Sequence, residues 1–512
     1  MKKNVLALSI ATMIGGLGFA GAASAQAVPA LQLNESGMGH MLLVPYYNAQ
    51  NGNMTVFHVV NTDTNGKAMK VRFRGASNSD DVLDFQVFMS PGDVWTAAVV
   101  AGSDGIANLV TADGTCTLPA IAKNAPVPFV LDRLPSTMSA ADKANNTREG
   151  YVEIFNMADI DSSKQAVYGG PGNVVPVNAP LYTATKHVNG VAPCTDTVLQ
   201  STLTTGSATL GLLPPSDGLT GSWYIMNVPQ TTTFSGAASA IVASGTTRNV
   251  FSPQNTGTAG LNSADPLFKG GVLVPQQYDV PDMSTPYTTA FAVSQAGADA
   301  QAALLTSQLA HQSVINQYAN DASVSAKTDW VFSMPTRRYT IAANYSATVG
   351  SGVANAVTGG TLSLQGGITA DKAYRIINTD VTNSYFVASA NTTVNSAGQI
   401  CVSSIGQTFL DREEGSKTSG AVFSPGTVTK TPLCGEVSVL SFGDAGASVL
   451  GASVARANVT GAYVNGWGKI DFATGSNPGV PLLGSSFMKL TNPSAAAGMS
   501  GTYGITWPHA YK

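Results

Sequence analysis

The chain has 512 residues, of which 44% are hydrophobic but only 11% charged, and its formal net charge is −4. Soluble proteins carry roughly 25% charged residues, so this composition suits a dispersed cytosolic enzyme poorly and favours a protein that packs against its own copies or coats a surface. A mildly acidic chain also lacks the electrostatic footprint of a nucleic-acid-binding protein. We therefore expect no nucleic-acid partner.

The first 25 residues have the three parts of a secretory signal peptide. Lys2 and Lys3 form a basic start, an apolar run follows, and Ala23-Ser24-Ala25 matches a cleavage site. No later stretch reaches the roughly 18 uncharged, apolar residues that a membrane-spanning helix needs. The sequence therefore predicts an exported protein without a membrane-spanning segment.

The segment MTVFHVVNTDTNGKAMKVRFR (54–74) contains a turn that looks like the first half of a calcium-binding loop. A helix–loop–helix calcium loop that starts at Asn61 would need glutamate at its twelfth position, where the chain has Arg72. Asn65-Gly66 is instead a strong hairpin signal between β-branched segments. In KVRFR (70–74) apolar and basic residues alternate, which predicts a strand buried on one face.

Short strand patterns bounded by Gly, Pro and Asn continue along the chain. They cover residues 84–100, 150–157, 221–228, 329–334, 337–345 and 435–442. Many short strands with such punctuation are typical of β-sandwiches. The sequence therefore predicts a mainly β protein built from tandem immunoglobulin-like β-sandwich units.

One segment has helical spacing instead. Residues 294–321 lack proline and are rich in Ala, Gln and Leu, with Leu304, His311 and Ile315 among the residues that recur on one face. We predict one inserted α-helix, from about residue 298 to residue 319, packed on a sheet. His311 is then a packing residue rather than a ligand.

These patterns suggest three domains after the signal peptide at 1–25. We predict an N-terminal β-sandwich domain over residues 26–165 and a second β-rich domain with the inserted helix over 166–345. A C-terminal β-rich domain would cover residues 346–512.

Four cysteines are present, namely Cys116, Cys194, Cys401 and Cys434. An even number in an exported protein suggests disulfides, with three alternative connectivities. We favour pairing of nearest neighbours, Cys116 with Cys194 and Cys401 with Cys434. A zinc site is the alternative, but the spacings are wide and no histidine lies near either pair.

The acidic segment DREEG (411–415) is the candidate metal site. Asp411, Glu413 and Glu414 would lie together at a strand end, and many extracellular β-domains bind calcium through carboxylates on such loops. The alternative is a solvated turn, or an ion pair that uses Arg412. We hypothesise calcium at these three residues and no other cofactor.

The sequence contains none of the common catalytic motifs. There is no G-x-S-x-G elbow, no H-E-x-x-H zinc motif and no phosphate-binding loop. Ser486 and Lys489 match the S-x-x-K frame of penicillin-recognising enzymes, but the companion motifs are missing and a strand would point the two side chains to opposite faces. We therefore predict that the protein is not an enzyme.

Several longer stretches occur in a fixed order over nearly the whole chain after residue 36. They are LLVPYYNAQNGNMTVFHVVNTD, GYVEIFNMAD, GSWYIMNV, KTDWVFSMPTRRY, FLDREEG, LCGEVSVL, NGWGKIDF and GVPLLG. In these stretches the chain resembles a family of exported proteins of Gram-negative bacteria, sometimes labelled cell-surface or surface-layer proteins. The resemblance implies a β-rich protein secreted to the outer face of the cell envelope, in which Cys401 and Cys434 flank the acidic segment. It supplies no catalytic residue, and this chain is poorer in charge than the family.

Three functional hypotheses follow from these observations. The leading one is a secreted structural protein that self-associates at the cell surface, in an S-layer-like lattice, through low-charge faces and strand edges. The alternative is an adhesin or matrix protein that displays aromatic residues such as Tyr46, Tyr47 or Trp467 to cell-envelope glycans. The third is a secreted hydrolase with a dispersed catalytic site.

Overall fold

The computed structural model describes most of the chain from residue 30 onward. The residues it does not describe after that point are 136–137, 163–179, 208, 255–279, 345–352, 355–360, 363–374, 379–384, 387–390, 414, 416–430, 444–447, 460–463, 474–477 and 497–498. The predicted signal peptide lies outside the described residues. Within the described ranges, no helix is both long enough and apolar enough to cross a membrane.

The described residues form 33 strands, four α-helices and two 3-10 turns. The strands of the first half are β1 (Leu31–Asn34), β2 (Met38–Gly39), β3 (Met41–Asn48), β4 (Asn53–Asn61), β5 (Gly66–Gly75), β6 (Asp81–Met89), β7 (Val94–Ala101), β8 (Ala107–Val110), β9 (Cys116–Leu118), β10 (Val127–Pro128), β11 (Glu149–Ile160), β12 (Leu212–Leu213), β13 (Leu219–Asn227), β14 (Thr232–Ala237) and β15 (Ser239–Ala243). Those of the second half are β16 (Ala310–His311), β17 (Ser313–Ala319), β18 (Lys327–Ser333), β19 (Ile341–Asn344), β20 (Val353–Ala354), β21 (Thr361–Leu362), β22 (Arg375–Asn378), β23 (Thr392–Val394), β24 (Ile400–Ser403), β25 (Gly406–Leu410), β26 (Pro432–Cys434), β27 (Val437–Phe442), β28 (Arg456–Val459), β29 (Asn465–Asp471), β30 (Val480–Pro481), β31 (Leu483–Ala496), β32 (Met499–Pro508) and β33 (Ala510–Tyr511). The helices are α1 (Ala140–Thr147), α2 (Pro180–Thr185), α3 (Asp196–Ser201) and α4 (Gln295–Gln308), and the 3-10 turns are Ala322–Val324 and Arg337–Tyr339. The fold is mainly β, as predicted.

Two antiparallel sheets form the first sandwich. Sheet I has the strand order β1-β15-β3-β11-β5-β6-β9, with β12 added to β11. Sheet II has the order β10-β8-β7-β4-β13-β14, with β2 added to β13. Their facing side chains form one apolar core, which includes Val71 and Phe73 of sheet I and Phe57, Trp95 and Trp223 of sheet II. Because side chains alternate along a strand, each strand contributes one row of apolar residues to this core.

Sheet III, with the order β28-β27-β18-β31-β32, lies between two cores. On one face Val331, Val439 and Phe487 belong to the core of the first sandwich. On the other face Trp330 and Leu440 belong to a second core, which sheet III shares with sheet IV (β25-β29-β17-β33). The second half of the chain is therefore packed into the first sandwich rather than strung after it.

Strand pairing crosses both predicted domain boundaries. β13 pairs with β4, and β15 pairs with β3, so sheets I and II each contain strands from both sides of residue 165. β18 pairs with β27 and β31 across residue 345. The three-domain division stays a prediction, and the sheets do not follow it.

The turn at Asn65-Gly66 does not connect a hairpin, so that prediction was wrong. β4 pairs with β7 and β13 in sheet II, whereas β5 pairs with β6 and β11 in sheet I. The four connecting residues can reach about 13 Å, which is enough to cross between sheets that pack about 10 Å apart. The Asn61 side chain closes the turn by donating hydrogen bonds to the carbonyl oxygens of Asn65 at 2.8 Å and Ser90 at 2.9 Å.

The inserted helix α4 is shorter than predicted. It begins after Ser294, whose hydroxyl accepts a hydrogen bond from the Gly297 N–H at 3.2 Å. Ala302 and Leu305 bury one face of α4 against apolar residues of sheet I. The helix ends at Gln308, eleven residues before the predicted end.

The helix prediction was wrong after residue 308 because Ser313–Ala319 form strand β17 of sheet IV. In β17 the side chains of Val314, Asn316 and Tyr318 are buried at a spacing of two, which is a strand pattern. His311 is a packing residue, as predicted. Its ring stacks on Tyr511 with 3.9 Å between centroids, and burial lowers the pKa of His311 to about 4.

The outer face of sheet I, which points away from sheet II, is charged and buried. Every residue of β5 and of β11 is buried. Helix α4 covers part of this face, and the carbonyl oxygen of Pro281 accepts a hydrogen bond from Arg72 Nη1 at 3.0 Å. The prediction that residues 70–74 are buried on one face only was therefore wrong, because distant parts of the chain cover their basic side.

We call the charged residues between this face and its cover the ionic seam; they are Lys70, Arg72, Arg74, Asp81, Asp84 and Glu153 of sheet I, with Asp282 and Arg338 of the cover. Glu153 Oε2 lies 3.2 Å from Arg74 Nε and 3.7 Å from Arg72 Nη1. Arg338 Nη1 lies 3.6 Å from Asp282 Oδ2. Charges removed from water are costly unless they are paired. The charges of the ionic seam are buried in pairs, and the cover adds polar partners such as the carbonyl oxygen of Pro281.

Candidate functional site

The predicted metal segment forms a turn after β25. Asp411 Oδ1 accepts hydrogen bonds from the backbone N–H groups of Glu413 at 2.9 Å and Gly415 at 2.7 Å. The Glu413 side chain is exposed, and Glu414 lies outside the described residues. Among the residues that the structure describes, no three His, Cys, Asp or Glu side chains are grouped to hold a metal ion. The Asp411 carboxylate closes its own turn, and calcium at this segment stays a prediction.

Both predicted disulfides are present. Cys116–Cys194 joins β9, at one edge of sheet I, to the segment between α2 and α3. Cys401–Cys434 joins the paired strands β24 and β26. All four cysteines are thereby used, which leaves no thiolate for the zinc alternative.

A serine, a histidine and an aspartate lie together beside the turn between β6 and β7. His187 Nδ1 is 2.9 Å from Ser90 Oγ and 3.5 Å from Asp93 Oδ2. A hydrolase triad uses one ring nitrogen for the nucleophile and the other for the acid, whereas here both partners face the same nitrogen. The contact ties a distant loop to this turn. Sequence reasoning missed it because 97 residues separate Ser90 from His187.

The S-x-x-K frame is divided between two faces of β31, as strand geometry predicted. Ser486 Oγ donates to the carbonyl oxygen of Gln317 at 3.0 Å. Lys489 Nζ donates to Gln230 Oε1 at 2.5 Å. The two side chains therefore cannot act on one another.

In the described strands of sheet II, none of the side chains that point away from sheet I is charged. We call the residues that point away from sheet I the uncharged face; they are Met54, Val56, His58 and Val60 of β4, Val94, Thr96, Ala98 and Val100 of β7, Asn108 and Val110 of β8, Thr220, Ser222, Tyr224 and Met226 of β13, and Thr233, Ser235 and Ala237 of β14.

An apolar band crosses the uncharged face. Val110, Ala98, Val56 and Tyr224 are successive neighbours on β8, β7, β4 and β13. The Tyr224 hydroxyl is 3.0 Å from His58 Nε2, so its polar end is paired within the face. Antiparallel sheets with one solvated face usually present polar residues there, whereas the four residues of this band are apolar or aromatic and partly exposed. Contiguous accessible apolar patches are typical of interaction sites.

The edges of sheet II are less available than its face. At one edge, the Ser235 N–H of β14 donates to Thr506 Oγ1 of β32 at 3.3 Å. At the other edge, β10 has only two residues and includes Pro128, which has no N–H to donate. The predicted contribution of strand edges to self-association therefore has little support in sheet II.

An open groove of about 710 Å³ lies between sheets III and IV. Trp467 of β29 and Trp507 of β32 line it, together with Gln317 of β17 and the turn residues Asp411 and Arg412. Trp467 and Gln317 are directly opposite each other on paired strands, so their side chains point to the same face. We call this feature the aromatic groove.

The two tryptophans of the aromatic groove differ from the other three in the chain. Trp95, Trp223 and Trp330 are core residues with at most 1% of their surface exposed. Trp467 is 39% exposed and Trp507 is 48% exposed. Large aromatic side chains gain by burial, so two exposed tryptophans in one groove indicate a surface that a ligand covers.

Of the aromatic residues that the sequence proposed for glycan contact, only Trp467 is accessible. Tyr46 and Tyr47 are fully buried in the first core, and the Tyr46 hydroxyl donates to Glu149 Oε2 at 3.2 Å. The suggestion that these two tyrosines face a ligand was therefore wrong. Their strand, β3, lies in the middle of sheet I and is buried on both faces.

No protein-family model, no curated protein and no solved structure matches this chain. The resemblance to exported surface proteins stays a prediction. The candidate functional sites are the two surfaces described above, the uncharged face and the aromatic groove.

Proposed function

We propose that the protein is an exported structural protein of the cell surface that associates with copies of itself through the uncharged face. The observation that carries this proposal is that none of the side chains pointing outward from β4, β7, β8, β13 and β14 is charged. The Asp113 carboxylate borders this face, where its Oδ2 accepts a hydrogen bond from Thr96 Oγ1 at 3.2 Å. Lysine and glutamate are the usual means by which exposed sheets resist association. A second copy, with the same uncharged surface, would meet no electrostatic repulsion there.

The size of the uncharged face suits a contact between two copies. Its five strands are four to nine residues long. At about 3.3 Å per residue and about 4.8 Å between strands they give a flat footprint of roughly 570 Å², somewhat below the roughly 800 Å² that each partner buries in a standard interface. A face that binds its own copy forms a closed pair by two-fold symmetry. An extended lattice would need a further contact at another part of the surface.

Charges placed on the uncharged face test this proposal. We expect the purified protein to sediment as a dimer or a larger assembly, and the double variant Val56→Lys with Ala98→Lys to sediment as a monomer. The control is Val191→Lys, which adds one charge at a side chain 67% exposed and outside this face. Urea unfolding checks that all variants are folded. A monomeric wild type, or an unchanged assembly in the double variant, would contradict the proposal.

Cell fractionation tests the predicted location. We expect the protein on the outer surface of intact cells, where added protease reaches it and negative-stain images show ordered material. Recovery as a dispersed monomer inside the periplasm would contradict a structural role at the surface.

A further inference from the structure

We infer that the aromatic groove binds a neutral oligosaccharide, with Trp467 and Trp507 stacking on sugar rings. This binding site goes beyond self-association, because the groove lies between sheets III and IV whereas the uncharged face belongs to sheet II. Three features of the groove support this binding: its exposed aromatic residues, the polar groups beside them and its fixed walls.

Two exposed aromatic residues line the groove, and a third lies farther along β32. Among the described residues, the aromatic side chains classed as exposed are Trp467, Tyr503 and Trp507. Tyr503 and Trp507 lie four residues apart on one face of β32, so their Cα atoms are separated by about 13 Å. Rings spaced along a strand and accessible to solvent suit an extended ligand with repeated apolar faces. An oligosaccharide has such faces on its rings.

Polar side chains of the protein beside the tryptophan rings can form hydrogen bonds with the hydroxyl groups of a sugar. The Gln317 amide supplies a donor and an acceptor next to Trp467, and it has no hydrogen-bond partner in the described part of the chain. Arg412 and Asp411 are adjacent and opposite in charge, so together they give the groove no net charge. An apolar protein surface would leave these groups buried and unpaired, which is unfavourable. Sugar hydroxyls both donate and accept, which favours a neutral saccharide.

The walls of the groove are held in place without a ligand. The carbonyl oxygen of Gln317 accepts hydrogen bonds from Trp330 Nε1 at 2.9 Å and Ser486 Oγ at 3.0 Å. On the other side, Asn316 Nδ2 donates to the carbonyl oxygen of Trp507 at 3.0 Å. A preformed site lowers the entropy cost of binding. The groove therefore needs no folding step to accept a ligand.

Calorimetric titration of the purified protein with defined hexasaccharides tests the inference. The probes are neutral hexasaccharides of β-linked glucose, α-linked mannose and β-linked N-acetylglucosamine, and an acidic one of galacturonate. We expect saturable binding of at least one neutral probe with quenching of tryptophan fluorescence. Trp467→Ala and Trp507→Ala should each weaken the affinity by about tenfold or more, as truncation of an aromatic anchor does.

Three further variants make the test specific. Trp467→Phe should keep part of the affinity, because it retains an aromatic ring. Gln317→Ala should weaken binding less than either tryptophan truncation does. Val228→Ala changes a side chain that is 60% exposed and outside the groove, and should have no effect.

Two results would overturn the inference: no saturable binding of any neutral probe, or an affinity that Trp467→Ala and Trp507→Ala leave unchanged. Binding of the acidic probe alone is a case of the first result. Repeating the titration on the Val56→Lys, Ala98→Lys variant separates the two proposals, since sugar binding should persist when self-association is lost. If the tryptophan variants change sedimentation but not sugar binding, the groove is a contact between copies and not a saccharide site.

Discussion

The outer faces of sheets I and II differ in both charge and exposure. The face of sheet I carries the ionic seam, with side chains such as Arg72 and Glu153 that are fully buried. The face of sheet II carries no charge, and residues such as Val94 and Ser222 remain exposed. An isolated sandwich would be expected to show the opposite arrangement, with charges in water and uncharged faces covered.

The difference shows that the polarity of a strand face does not decide whether it is covered. Sheet I is covered because residues far along the chain supply polar partners, such as the carbonyl oxygen of Pro281 for Arg72 and the side-chain amide of Gln254 for Lys70 and Asp84. Sheet II lacks such a cover within the described residues. Its uncharged face is therefore left for a partner outside the chain, which is the basis of the proposed self-association.

Helices α2 and α3 also cover sheet I, since Leu181 and Leu199 pack with Ala68 and Phe88. Removing the disulfide that ties this part of the cover to β9 should cause the largest loss of stability. Cys116–Cys194 spans 78 residues, and loop-closure entropy then predicts a loss of about 4.5 kcal/mol in the free energy of unfolding of the Cys116→Ser, Cys194→Ser variant. The matched double variant of Cys401 and Cys434, which spans 33 residues, should lose about 3.7 kcal/mol. Urea unfolding without reductant measures both. A loss below about 1 kcal/mol for the first pair would show that the cover does not depend on it.

Breaking the ionic seam should lower the free energy of unfolding by nearly as much. Glu153→Ala leaves Arg72 and Arg74 buried with less neutralising charge, and removal of one partner from a buried pair typically costs about 3–5 kcal/mol. Ser222→Ala, on the uncharged face, is the control and should change the free energy of unfolding by no more than about 0.5 kcal/mol. Urea unfolding measures both variants. If Glu153→Ala and Ser222→Ala lowered the free energy of unfolding equally, the contrast between the two sheet faces would be contradicted.

The smallest change in stability should come from Glu149, a buried acid that has no cation among its nearest contacts. The change should appear as a pH dependence of the free energy of unfolding. Glu149 Oε1 accepts hydrogen bonds from the N–H groups of Ser453 at 2.8 Å and Val454 at 3.2 Å, and burial raises the pKa of Glu149 above its ordinary value of 4.5. Between the unfolded and the raised folded pKa, the folded state holds the proton that the unfolded state has lost. Stability therefore falls as the pH rises through this window.

Glu149→Gln should make this fall smaller, since glutamine does not titrate. Urea midpoints measured over about pH 4 to 8 report the slope. Glu413→Gln, at an exposed side chain, is the control and should leave the slope unchanged. If the stability of Glu149→Gln changed with pH as steeply as that of the wild type, Glu149 would not be the source of the pH dependence.

Local sequence patterns predicted the features that depend on neighbouring residues. The alternation around Val71 and Phe73 correctly gave a strand, and the cysteine spacing gave both disulfides. The same alternation wrongly predicted that the basic residues are exposed. Arg72 is covered by a segment that lies about 210 positions later in the chain. The helix prediction failed after residue 308 for a related reason. Ile315 and Tyr318 have the spacing of a helical stripe, but pairing within sheet IV makes this segment a strand, on which they point to opposite faces.

Of the candidate site residues, the sequence identified Trp467 and Asp411 but could not bring them together. They lie 56 positions apart, and Trp507 lies on a third segment that reaches the groove only because sheets III and IV pack against one another. By itself the sequence determined that this is a mainly β chain of low charge with two disulfides, because these properties depend on composition and short-range alternation. Only the tertiary structure decided which faces are buried, since burial depends on what distant segments place on top of a strand.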